Sequence, residues 1–99
     1  MIDRLKSLIP LGSVNAVSMK YLSGTLNVST SEVKHMIDDL LTDGIMIVCD
    51  LRGIYLPNDR DHSQVWNFFT GSDPDRQDMM RHTVSDYFCR IEKEVLDGK

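Results

Sequence analysis

The stretch from Ser29 to Gly44 constrains this chain more than any other. Val33, Met36, Ile37, Leu40 and Leu41 recur at i, i+3, i+4, i+7 and i+8, the spacing that gathers apolar side chains on one face of an α-helix. Both ends of that helix are written into the sequence. Ser29-Thr30-Ser31-Glu32 has the form of a capping box, in which Ser29 accepts the amide of Glu32 and Glu32 bonds back. Gly44 stands where the chain must leave the helix. Just upstream, Ser18 is an N-cap for a shorter helix whose Met19, Leu22 and Leu26 face inward. Asn27, which tolerates a left-handed backbone, marks the reversal between the two.

The flanks extend the pattern. Ile2, Leu5, Leu8 and Ile9 have helical spacing and stop at Pro10, and Pro10, Gly12 and Asn15 mark a loop. After Gly44, Ile45 to Asp50 is β-rich, Leu51-Arg52-Gly53 reads as a tight turn, and Ile54-Tyr55-Leu56 returns before Pro57 ends the pairing. Beyond it, Asn58 or Asp59 is expected to cap a fourth helix bearing Val65, Trp66, Phe68 and Phe69, closed by Gly71. Asp73 and Pro74 then read as N-cap and first residue of a last helix running to about Leu96.

Ser18-Met19-Lys20-Tyr21-Leu22, Leu26-Asn27-Val28-Ser29, Val33, Ile37, Leu40 and Gly44 together resemble the helix-turn-helix of bacterial and phage winged-helix regulators. Leu8 to Gly12 with Asn15 to Ser18, and later Gly53 to Pro57, look like a group of small phage-encoded winged-helix proteins. Asn27 stands where glycine is commoner in that turn, and the C-terminal tail is acidic where tails of that group are rich in arginine. The expected fold is therefore mainly α (α+β): a winged helix-turn-helix with a two-stranded wing over residues 1–57. Residues 58–99 form a C-terminal helical extension that packs on the domain or makes a dimer interface.

The resemblance implies double-stranded DNA as partner, and helix-turn-helix geometry names the candidates. The second helix of the motif enters the major groove with its N-terminal residues at the base edges, which selects Thr30, Ser31, Lys34 and His35. Lys20 on the preceding helix is placed for a phosphate, and Arg52 at the wing tip for the adjacent backbone or minor groove. Charge argues the other way. Eleven Lys and Arg stand against fifteen Asp and Glu, a net of −4, whereas phosphate binding rewards a basic surface. The deficit lies mostly in residues 58–99, with six basic and nine acidic groups, against five and six in residues 1–57. Two readings follow: a sequence-specific DNA-binding regulator of phage or mobile-element origin, or a winged-helix protein-interaction module in a replication or transcription assembly, using the acidic C-terminal region.

Met80, Val84, Tyr87 and Ile91 alternate at spacings of four and three, the pattern of a helix–helix seam, and predict a homodimer. Metal and enzyme chemistry find no footing. His35, His62 and His82 pair with no ligand at a recognised spacing, and Asp73, Asp75 and Asp78 fail as a calcium loop because Pro74 interrupts it and Val84 stands at its twelfth position. No phosphate loop, nucleophile elbow or catalytic carboxylate pair is present, so neither a cofactor nor a reaction is expected. Cys49 and Cys89 suggest no disulfide framework. With no membrane-length apolar run and no signal-peptide core, the expectation is a soluble cytoplasmic protein.

Overall fold

A computed structural model describes residues 2–97, with side chains through residue 91. Five helices and one short hairpin follow in the order α1 (Ile2–Leu8), a single 3-10 turn (Ser13–Asn15), α2 (Met19–Leu26), α3 (Thr30–Thr42), β1 (Val48–Asp50), β2 (Gly53–Tyr55), α4 (His62–Thr70) and α5 (Pro74–Asp97). The fold is α+β, mainly helical, with a small antiparallel sheet.

The caps lie where local chemistry put them. Ser18 Oγ accepts the Tyr21 N–H at 3.0 Å, and Ser29 Oγ accepts the Glu32 N–H at 3.1 Å. Of the reciprocal capping box, the structure has the Ser29 half. Asn27 takes φ 57° and ψ 45°, the left-handed residue that turns α2 into α3. Leu22 and Leu26 from α2 then meet Val33, Ile37, Leu40 and Leu41 from α3 in the core. Each such side chain removed from water contributes about 2 kcal/mol.

The hairpin is shorter than its β-rich sequence. Pairing begins at Val48 rather than Ile45, because β2 offers only three residues, with Val48 opposite Tyr55 and Asp50 opposite Gly53. Leu56, next along the returning chain, turns its backbone to the loop after α1. Its N–H donates to the Pro10 carbonyl at 2.8 Å, and its carbonyl accepts the Gly12 N–H at 2.7 Å. Val17 closes the other side of β2, exchanging two hydrogen bonds with Ile54 at 2.7 and 3.0 Å. Ile45, Met46 and Ile47 are thus left unpaired by β2; Met46 and Ile47 are buried in the core and Ile45 packs against it.

The C-terminal helices correct two expectations. Neither Asn58 nor Asp59 caps α4. Its N-cap is Asp61, whose carboxylate makes no capping bond and is instead buried against the 3-10 turn. Asp61 accepts from the Ser13 N–H at 3.1 Å, the Ser13 hydroxyl at 2.9 Å and the Asn58 N–H at 3.1 Å. The proposed seam on α5 is also spoken for. Met80, Val84 and Tyr87 are at most 4% exposed within one chain and join Val65, Tyr55 and Leu5 in a single core cluster; Ile91 packs half-buried at its edge. The periodicity was that of a helix lying on a core, which took three of the four side chains. Residues 1–57 and 58–99 share that core. Two hydroxyls fasten α5 to it: Thr83 donates to the Leu41 carbonyl, and Tyr87 to the Asn58 carbonyl.

Candidate nucleic-acid interface

All six residues that the sequence nominates for DNA contact, Lys20, Thr30, Ser31, Lys34, His35 and Arg52, are exposed. Four of them follow from the geometry of α3. By the 100° step per residue, Ser31 and His35 turn away from the buried stripe of Val33, Ile37, Leu40 and Leu41, whereas Thr30 and Lys34 lie in line with it or beside it and are exposed at the N-terminal end of the helix. Those turns also carry the free backbone N–H groups and positive dipole end that suit a phosphate.

Arg52 is held rather than loose. Its N–H donates to Asp50 Oδ1 at 2.8 Å and its guanidinium stands 3.8 Å from Asp50 Oδ2, which also accepts the Tyr55 hydroxyl at 2.8 Å. Tyr55 is fully buried, so the tip of the hairpin is pinned to the core through one carboxylate. Burial, with the hydrogen bond and negative charge of Asp50 behind it, pushes the Tyr55 phenol above its ordinary range. Leu51, beside Arg52 on the tip, is fully exposed.

Gly53 makes the hairpin possible. It takes φ +128°, and a Cβ there would lie 2.5 Å from the Val17 carbonyl oxygen. Only glycine fits both the backbone angle and that close approach.

Asp38 and Asp39 are the anions on the same helix, and the structure treats them differently. Asp39 is exposed, whereas Asp38 is bridged at 2.9 Å by Arg76 from the first turn of α5. Arg76 lies over the Phe68 ring, 6.0 Å from its centroid. The sequence reading passed over Arg76. A signal was there: a cation in the first turn of a helix runs against the dipole, so its place calls for a carboxylate elsewhere. The surroundings of Cys49 show how these elements converge. Burial pushes its thiol up to about 11, the Arg76 guanidinium pulls it down, Asp38 and Asp50 push it further up, and Lys34 opposes them. The charges of Lys34, Asp38, Asp50 and Arg76 thus all reach Cys49, with Asp38 and Arg76 in direct contact with each other.

Along α2, α3, the hairpin and the start of α5, the cations Lys20, Lys34, Arg52 and Arg76 stand among the anions Glu32, Asp38, Asp39 and Asp50. A cleft of about 970 Å³ separates the hairpin from α4, with Met19, Leu51, Ile54 and Phe68 among its walls. Among the described residues, no group of three His, Cys, Asp or Glu is placed to hold a metal ion, and no helix is long and apolar enough to cross a membrane. No protein-family model, curated protein or solved structure matches the chain.

Proposed function

We propose that this chain is a winged helix-turn-helix protein that binds double-stranded DNA as a small sequence-specific regulator of phage or mobile-element origin, acting in the cytoplasm. The N-terminal half of α3 enters the major groove, where Thr30, Ser31, Lys34 and His35 meet base edges and phosphates. Lys20 contacts the backbone from α2. The hairpin is the wing, and Arg52 touches the flanking phosphate or minor groove.

One observation carries this reading: the first turns of α3 hold Thr30, Ser31, Lys34 and His35 exposed, four hydrogen-bonding side chains at the end of the helix that suits an anion. The Asp38–Arg76 bridge supports it by offsetting the anion one turn further along α3. The net charge of −4 and the half-exposed Trp66 favour a second reading, a protein-interaction module built on the same scaffold.

Fluorescence anisotropy against a pool of random duplex DNA, titrated across salt, separates the two. Saturable binding that weakens with salt, at a log–log slope near −0.9 per phosphate contacted, is the expected result. Absence of binding at low salt overturns the DNA reading and leaves the interaction module.

A further inference from the structure

The turn that closes the hairpin, Asp50-Leu51-Arg52-Gly53, places its conformational demands on the two outer residues. Asp50 Oδ1 accepts the Arg52 N–H at 2.8 Å, the side-chain-to-backbone bond by which aspartate sets a tight turn. Gly53 takes the positive φ, at +128°. Leu51 and Arg52 stand between them with no positive φ, so the turn does not dictate their side chains. Nor does the core. Leu51 is 108% exposed, the most exposed large apolar side chain among the described residues. Turns favour glycine, asparagine, aspartate and serine, which lose nothing by facing water. A leucine at the outermost point contributes neither to the turn nor to the core.

A single exposed leucine is ordinary on a protein surface. This one is held still and has a cation beside it. The Asp50 carboxylate that sets the turn also accepts the hydroxyl of fully buried Tyr55 at 2.8 Å. Behind the tip, Ile54 exchanges two hydrogen bonds with Val17 at 2.7 and 3.0 Å. Side chains presented from so fixed a base lose little freedom on docking. The Arg52 guanidinium is 56% exposed and stands 3.8 Å from Asp50, beyond hydrogen-bond length, so it can leave for a closer anion.

An apolar side chain and an adjacent cation on a narrow, rigid projection match one surface of a duplex. The minor groove is about 6 Å wide, too narrow for the body of a two-stranded ribbon but open to two side chains at its tip. Phosphates line its walls and attract a guanidinium. Stacked base pairs form its floor, and an inserted apolar side chain can part them.

We propose that Leu51 is a wedge that enters the minor groove beside the α3 site and partly unstacks one base step, with Arg52 on the flanking phosphate, so that the DNA is bent in the complex. This rests on the DNA-binding reading above and adds to it the groove and the kind of step the hairpin takes. Unstacking is easiest at pyrimidine–purine steps such as TA and CA. Leu51 therefore selects a deformable step without a hydrogen bond to any base.

The test uses the full chain and duplexes of about 30 base pairs that it selects from a random pool, resynthesised with a fluorescent dye at each end. Energy transfer between the dyes reports bending, and anisotropy reports affinity across salt. The wild-type chain is expected to raise transfer, and the selected duplexes to share a TA or CA step beside the α3 site. Leu51→Ala should abolish the rise and weaken binding by about tenfold. Its salt dependence should match that of the wild type, because leucine neutralises no phosphate, whereas Arg52→Ala flattens it. Leu51 is fully exposed, so Leu51→Ala leaves the fold intact; Leu51→Phe, a bulkier wedge, should keep the bend. Duplexes bound without a rise in transfer, or a Leu51→Ala chain that binds or bends DNA as the wild type does, overturn the inference and leave DNA binding standing. If no duplex is selected, the inference and the DNA reading fall together.

Discussion

Ser13 and Asp61, 48 residues apart in sequence, are joined by two hydrogen bonds, one from the Ser13 N–H and one from its hydroxyl, to the two oxygens of a carboxylate that is 4% exposed. A third bond, from the Asn58 N–H, completes the set. A buried carboxylate is tolerable only when its oxygens are satisfied in this way. It ties the loop after α1 to the start of α4.

Asp61→Ala therefore strands three donors. Loss of a charge-assisted set of this kind is expected to cost about 3 kcal/mol, against about 1 kcal/mol for Ser13→Ala. Urea unfolding of both single variants and the double variant gives the coupling. A double variant equal to the sum of the singles would deny the link.

Gly53→Ala is expected to destabilise by about 2 kcal/mol or more, since the new methyl meets the Val17 carbonyl at 2.5 Å and the backbone stays at φ +128°. Gly24→Ala is the contrast. It sits within α2 with nothing within 4 Å of the added carbon, and should stabilise by up to about 1 kcal/mol. Thermal melts that rank the two the other way would refute the hairpin geometry.

If α3 lies on DNA, its charges act with opposite signs. Lys34→Ala and Arg52→Ala should each weaken duplex binding and flatten the salt dependence by about one phosphate contact. Asp38→Asn removes an anion and releases Arg76, and should tighten binding. Anisotropy titrations of the three variants, with folding checked by circular dichroism, decide it. Affinity unchanged in all three removes α3 from the interface.

The chain should lose stability on the alkaline side. Burial pushes Cys49 up to about 11 and Tyr87 up to about 12, the latter with help from the Asp61 and Asp59 carboxylates, and Tyr55 is also raised. A group whose pKa is raised by folding contributes fully below its ordinary value and loses that contribution as pH climbs through the folded value. Stability is thus flat below about pH 9 and falls above it, with Cys49 accounting for about 2 kcal/mol by pH 11. Urea midpoints measured from pH 7.5 upward should decline, and less steeply in Cys49→Ala. The same burial makes exposed Cys89 the thiol that reacts first with a disulfide reagent.

What the sequence made legible was local. Ser18, Asn27, Ser29 and Gly44 act within four residues of themselves, and each stands in the role its chemistry suggested, Gly44 at φ +95° included. What it hid depends on partners far away. Local spacing pointed to Asn58 and Asp59 and passed over Asp61, because its donors come from Ser13 as well as Asn58. Arg76 carries no local signal of its partner, since Asp38 lies 38 residues away in sequence. Residues 45–47 read as strand because β-rich composition says nothing about the length of the strand opposite. The α5 stripe was real, but spacing alone does not tell a core from a second chain.

Residues 58–99 can be mistaken for an appendage, and the anchors on α5 say otherwise. Arg76, Thr83 and Tyr87 fix one helix at three points to α3 and to the turn after the hairpin, and Val65, Met80, Val84 and Tyr87 fill the core beneath. A gene fragment ending at Pro57 would encode an open hydrophobic surface, not a smaller version of the protein. The two halves therefore stand or fall together as one cooperative unit.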